Sequence, residues 1–145
     1  MKSKPDVDGQ GPAGHCTLSR QYLENAKKFL QSGRFEKASE MFWGAVAASV
    51  RAVAEARGNS FRTHRGLRDY VRGIAKETGR EELWRDFKAV ESLHVNFYEA
   101  NEEEASVEEL GRIAVRLAEA MLSLLQDPVP DNQGSDTVVV GKSRG

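Results

Sequence analysis

The sequence predicts an all-α fold, an antiparallel up-and-down bundle of four to five helices, and three observations carry that prediction. Apolar residues recur at helical spacing from about residue 18 to residue 125, with little of the strict alternation that marks strands. Glycines at 33, 58 and 79 stand just past the ends of periodic segments and leave links short enough to favour antiparallel neighbours. A chain of 145 residues, 39% hydrophobic and 30% charged with four prolines, has the composition of one globular domain with a core.

The first helix is expected from near Leu18 to Ser32, because Tyr22, Ala26, Phe29 and Leu30 fall on one face and Gly33 supplies a left-handed stop. The second, from about Phe35 to Arg57, is apolar over most of its circumference, through Ala38, Met41, Phe42, Ala45, Val46, Ala48, Val50, Val53 and Ala56. A helix of that kind is central or faces a second copy. Its small residues Gly44, Ala45, Ala47, Ala48 and Ser49 allow close approach of a neighbouring backbone, beside Phe42 and Trp43. The third, about Thr63 to Thr78, sets Leu67, Tyr70, Val71 and Ile74 on one side and Arg65, Arg68 and Arg72 on the other. The fourth, about Glu81 to Ala100, aligns Leu83, Phe87, Val90, His94 and Phe97. The fifth is expected to open on a capping box from Ser106 to Glu109 and to continue through Val107, Leu110, Ala114, Leu117, Met121 and Leu124. Turn formers without an apolar period mark residues 1–16 and 127–145 as disordered ends around a bundle of residues 17–126.

Composition narrows the function classes. A single cysteine, Cys16, excludes an internal disulfide framework or a four-cysteine metal site and suits a reducing compartment. No apolar run is long enough to cross a bilayer, and the first residues lack the apolar stretch of a signal peptide, so a cytoplasmic protein with no membrane partner is expected. The net charge of −1 hides an asymmetry: residues 51–80 carry eight Arg/Lys against three Asp/Glu, while residues 81–125 carry four against eleven. Such polarity suits a phosphate-attracting face or an acidic face that docks a basic one.

Few motifs survive a chemical reading. Gly141-Lys142-Ser143 resembles the end of a phosphate loop, but Asp136 stands where its first glycine belongs. Thr137–Val140 reads as a strand that pairs with another chain or as part of a disordered end. His15 beside Cys16 supplies two ligands where zinc needs three or four, so no metal site and no cofactor are expected. No Gly-x-Ser-x-Gly elbow is present.

His94 is the informative residue, since one helical turn around it offers an imidazole, the Asn96 amide, the Tyr98 phenol and the Glu99 carboxylate. An imidazole on an apolar stripe is commonly a hydrogen-bonded core residue. The same set is also able to position a phosphodiester and shuttle protons, with a cation for the phosphate. The stripe Arg65, Arg68 and Arg72, preceded by Arg57, Arg62 and His64, is the natural phosphate-facing surface, with Phe61 and Tyr70 near enough in sequence to offer stacking.

The segments YLENAKKFLQSGRFEKASEMFWGAVAASVRAVAEARG, THRGL and LHVNFYEAN, in that order, resemble the archaeal PaREP family, which is counted among the HEPN domains. The resemblance covers about residues 18 to 125 and is most specific around Trp43-Gly44 and His94 to Glu99. It implies a helical bundle that homodimerises, through the second and fourth helices on this reading, and binds nucleotide or RNA in the cleft between copies. Many HEPN proteins are metal-independent ribonucleases, often toxins paired with a nucleotidyltransferase-like antitoxin, and others are inactive binding partners. Active members carry an arginine, four to six further residues and a histidine. Here His94 matches the histidine, and the arginine window holds Phe87, Lys88 and Ala89. Lys88 is then the candidate catalytic cation, although a lysine lacks the planar fork that grips phosphate at two points. Arg57 and His64 satisfy the spacing formally, but across Gly58, Asn59 and Ser60.

The expectation is therefore a HEPN-like homodimer that binds nucleotide or RNA without efficient catalysis. His94 and Lys88 would be its catalytic candidates, and Asn96, Tyr98, Glu99, Arg65, Arg68, Arg72 and His64 its binding residues. The alternatives are a toxin-type ribonuclease acting through His94, and an interaction module that docks a nucleotidyltransferase-like partner through the apolar second helix and the acidic start of the fifth.

Overall fold

The computed structural model describes residues 11–100 and 104–126, with the backbone alone described for 94–100 and 104–105. Every regular element among the described residues is helical: α1 (Gly11–Gln31), α2 (Phe35–Ala56), α3 (His64–Thr78), α4 (Glu81–Ala100) and α5 (Glu104–Ser123). The expected all-α bundle is the fold observed. No helix among the described residues is long and apolar enough to cross a membrane. The Thr137–Val140 segment and the Gly141-Lys142-Ser143 tail lie outside the described residues.

The three glycine stops act through one backbone device. At Gly33, φ is 78°, Arg34 N donates to Phe29 O and Gly33 N to Leu30 O. Gly58 and Gly79 repeat it, with Asn59 N donating to Ala54 O and Arg80 N to Ala75 O. A left-handed residue at each position lets the last carbonyls of the helix find donors while the chain reverses. Thr63 begins α3 from the other side, its hydroxyl accepting from Gly66 N at 2.9 Å.

α2 is the central helix. It packs against α1 along most of its length and also against α5, α4 and α3. No residue from 38 to 55 is exposed. The apolar circumference is thus largely covered within one chain, which supports the central reading of α2. Phe42, Val46, Val50 and Val53 of α2 meet Leu67 and Val71 of α3, Leu83, Phe87 and Val90 of α4, and Val107, Leu117 and Met121 of α5 in one core. The shortest helix, α3, is peripheral and rests on α4 and α2.

Two boundaries differ from expectation. α1 begins at Gly11, well before Leu18, so part of the stretch expected to be disordered is helical. Its first turns are held by polar groups that an apolar period cannot reveal. His15 Nδ1 lies 2.9 Å from a Glu55 carboxylate oxygen, and Ser19 Oγ donates to Ala45 O at 2.7 Å. α5 begins at Glu104, so Ser106 sits inside the first turn and does not cap it.

Candidate nucleotide-binding face

α3 and α4 pack side by side and turn a shared polar face outward. On α3, Leu67, Val71 and Ile74 are buried, which directs Arg65, Arg68 and Arg72 away from the core. On α4, Leu83, Phe87 and Val90 are buried, and Trp84, Lys88 and Glu91, spaced i, i+4 and i+7, lie beside the arginine stripe.

The Trp84 indole organises this face. The Arg72 guanidinium lies 4.7 Å from its ring centroid, the Arg68 guanidinium 5.0 Å and the Lys88 ammonium 5.4 Å. The indole quadrupole attracts each cation by about 0.5–1 kcal/mol at a partly exposed site. That is enough to gather three like charges but too little to neutralise them. Arg72 and Lys88 have no carboxylate partner among the described residues. Arg68 shares Glu91, donating from Nε at 3.2 Å. Arg65 is 90% exposed and only 3.9 Å from Asp69, so that pair is weak.

His64 is anchored on the same side. Its Nε2 is 2.6 Å from Glu91 Oε2, and its ring stacks on Trp43 at 5.2 Å and 17°. Trp43 in turn contacts Phe87, which stacks against Trp84. An aromatic chain therefore runs from α4 across α2 to the start of α3, fixing the imidazole and the indole in one rigid frame. The face combines excess positive charge with a partly open aromatic surface, a pairing that suits a phosphate attached to a planar base.

Of the residues singled out from sequence, His64, Arg68, Arg72 and Lys88 come together here, while Arg65 stands at the exposed margin. His94, Asn96, Tyr98 and Glu99 belong to the helical backbone of α4, and their side chains lie outside the described residues. Arg57 does not join His64. Its guanidinium donates to Glu77 at 2.9 Å, and Glu77 stands about 20 Å along α3 from His64 at 1.5 Å per residue. The formal arginine-to-histidine spacing across the loop is therefore not a site. Phe61 and Tyr70 pack on each other at 5.7 Å and are half-buried, apart from the Trp84 cluster. Among the described residues, His15 and Cys16 included, no three His, Cys, Asp or Glu side chains gather closely enough to hold an ion.

Sequence reasoning missed Trp84, Glu91 and Trp43. The spacing of Trp84 and Glu91 around Lys88 was a usable signal, whereas the reach of Trp43 from α2 to His64 depends on packing between helices.

The profile of the archaeal PaREP1/PaREP8 family matches residues 14–118. No curated protein and no solved structure matches the chain.

Proposed function

The chain belongs to the archaeal PaREP1/PaREP8 family, and from its α3–α4 face we propose that it is a HEPN-like bundle that binds nucleotide or single-stranded RNA without efficient catalysis. The observation that carries this reading is the convergence of Arg68, Arg72 and Lys88 on the half-buried Trp84 indole, with Glu91 as the neighbouring carboxylate. Cations that swing from the indole to phosphate oxygens uncover the ring, which then takes the flat side of an unpaired base. Double-stranded RNA, whose bases are already stacked, gains only the charge part.

The non-catalytic part of the reading is supported by what stands near the candidate histidines. Lysine occupies the matching place before His94, and Arg57 is committed to Glu77 at the far end of α3. A second copy, if recruited as in HEPN homodimers, packs on α1, α4 or α5, since α2 is largely covered.

The test is fluorescence anisotropy with a labelled mixed-sequence single-stranded RNA. Trp84→Ala is expected to weaken binding by about tenfold, as the loss of one base stack of about 1–3 kcal/mol requires. Arg72→Glu with Lys88→Glu is expected to weaken it further, with helical circular dichroism unchanged. Equal affinity for single and double strands, or wild-type affinity in both variants, overturns the proposal.

A further inference from the structure

A groove of about 740 Å³ lies at the other end of α2, lined by Gly11, His15, Arg51, Glu55, Phe61 and Arg62 among others. It shares no residue with the α3–α4 face, and its size is within the range of small-molecule sites.

Three features of this groove are chemical. His15 is nearly buried, with its side chain 11% exposed, and its Nδ1 lies within reach of two acceptors, Gly11 O at 3.1 Å and Glu55 Oε1 at 2.9 Å. Two acceptors on one nitrogen place the proton on Nδ1, so Nε2 of the neutral ring carries the lone pair and is an acceptor. Glu55 is engaged by His15 and makes no ion pair with either arginine of the groove.

Arg51 is the second feature. Among the described residues four arginines are half-buried, and Arg57, Arg68 and Arg80 each hold a carboxylate, namely Glu77, Glu91 and Glu82. Arg51 holds none and rests over the Phe61 ring at 5.9 Å. A guanidinium partly withdrawn from water and left without an anion is unfavourable unless an anion arrives. Arg62, exposed and likewise without a carboxylate among the described residues, stands on the same groove and is the third feature.

We propose that this groove binds a small phosphate ester, with its phosphoryl group between Arg51 and Arg62 and an oxygen on His15 Nε2. Two planar guanidinium forks match a tetrahedral phosphate better than a single carboxylate, and the P–OH of a monoanionic ester donates to the Nε2 lone pair as a third bond. The length of the groove beyond the arginines receives the organic part.

Phenyl phosphate titrated into the full chain, with the His15 imidazole Cε1–H resonance followed by NMR and assigned by its loss in His15→Gln, tests this. A saturable shift is expected. The dissociation constant rises by about tenfold or more in Arg51→Gln and in Arg62→Gln, because each removes a charge-assisted bond. Arg62 is exposed, so its variant keeps the fold even if Arg51→Gln does not. Inorganic phosphate binds more weakly than the ester. Arg72→Glu and Trp84→Ala, which weaken RNA binding at the α3–α4 face, each leave this binding within about twofold, so failure here and failure of that face are told apart. No saturable shift, or wild-type affinity in Arg62→Gln, overturns the site. Loss of the shift in Arg72→Glu instead assigns the ligand to the other face, and equal affinity for inorganic phosphate overturns the ester.

Discussion

Asp86 of α4 is 4% exposed, and a carboxylate so deeply placed persists only where donors hold it. Arg116 of α5 supplies two of them, Nε to Oδ2 at 3.0 Å and Nη2 to Oδ1 at 2.9 Å. These hydrogen bonds, and then the charge of Asp86, raise the Arg116 guanidinium above its ordinary range. The pair ties α4 to α5. Arg116→Met is expected to lower the unfolding free energy by about 1–3 kcal/mol, the cost of leaving a buried acceptor unpaired, and Asp86→Leu added to it to restore most of the loss. Urea denaturation of the single and double variants reads this directly, and a neutral single variant refutes it. Tyr70 is the opposite case. Burial pushes its phenol up, against the opposing charge of Arg57, and its buried hydroxyl has no partner at good hydrogen-bonding distance and angle. Because the folded state holds the proton longer than the unfolded one, stability is complete below about pH 10 and falls as pH rises through the folded value. Tyr70→Phe therefore costs little at neutral pH and removes this part of the alkaline loss, seen as a smaller drop in the urea midpoint between pH 9 and pH 11.

At the scale of the helices, glycine has two opposite meanings in this fold. A Cβ on Gly111 of α5 would stand 2.6 Å from Cε2 and Cζ of the Phe42 ring, which is itself buried in α2. The close approach of α5 to α2 therefore depends on that hydrogen, and Gly111→Ala is expected to destabilise by about 1–3 kcal/mol despite its better helix propensity. A Cβ on Gly73 of α3 would meet nothing within 4 Å, so Gly73→Ala is expected to stabilise by about 0.5–1 kcal/mol. Thermal melts with changes of the same sign overturn this contrast. Both glycines look alike in the sequence, and this marks where reading it stops. The helix ends at Gly33, Gly58 and Gly79 were legible because each depends on local backbone geometry alone. The inward arginine-free face of α3 was legible because periodicity reports it. The first turns of α1 were not, since Gly14, His15 and Ser19 face α2 there in place of apolar residues. Half of the candidate face was visible as an arginine stripe. The other half, Trp84 and Glu91 on α4 with Trp43 behind them, required knowing that α3 lies beside α4 and that α2 runs beneath both.

For the molecule as a whole, the net charge of −1 and the local face make opposite predictions about nucleic acid. At physiological ionic strength a charge is screened over about 8 Å, so a phosphate arriving at Trp84 responds to Arg65, Arg72, Lys88 and the half-compensated Arg68. The acidic surface of α5, where Glu108, Glu109 and Glu119 are exposed, lies on a helix that makes no substantial contact with α3 and acts only at low salt. About three phosphate contacts on a single strand correspond to a slope of about −2 in log affinity against log salt, at about 0.7 per contact. Measured by anisotropy from moderate to high salt, that slope is expected to shrink toward zero in the Arg72→Glu, Lys88→Glu variant. If the net charge governed binding instead, affinity would stay flat or climb as salt rose, and the α3–α4 face would lose its role. A slope that flattens only at the lowest salt agrees with the face acting alone at short range, because there the screening length grows to about 30 Å and the acidic side of the bundle begins to oppose it.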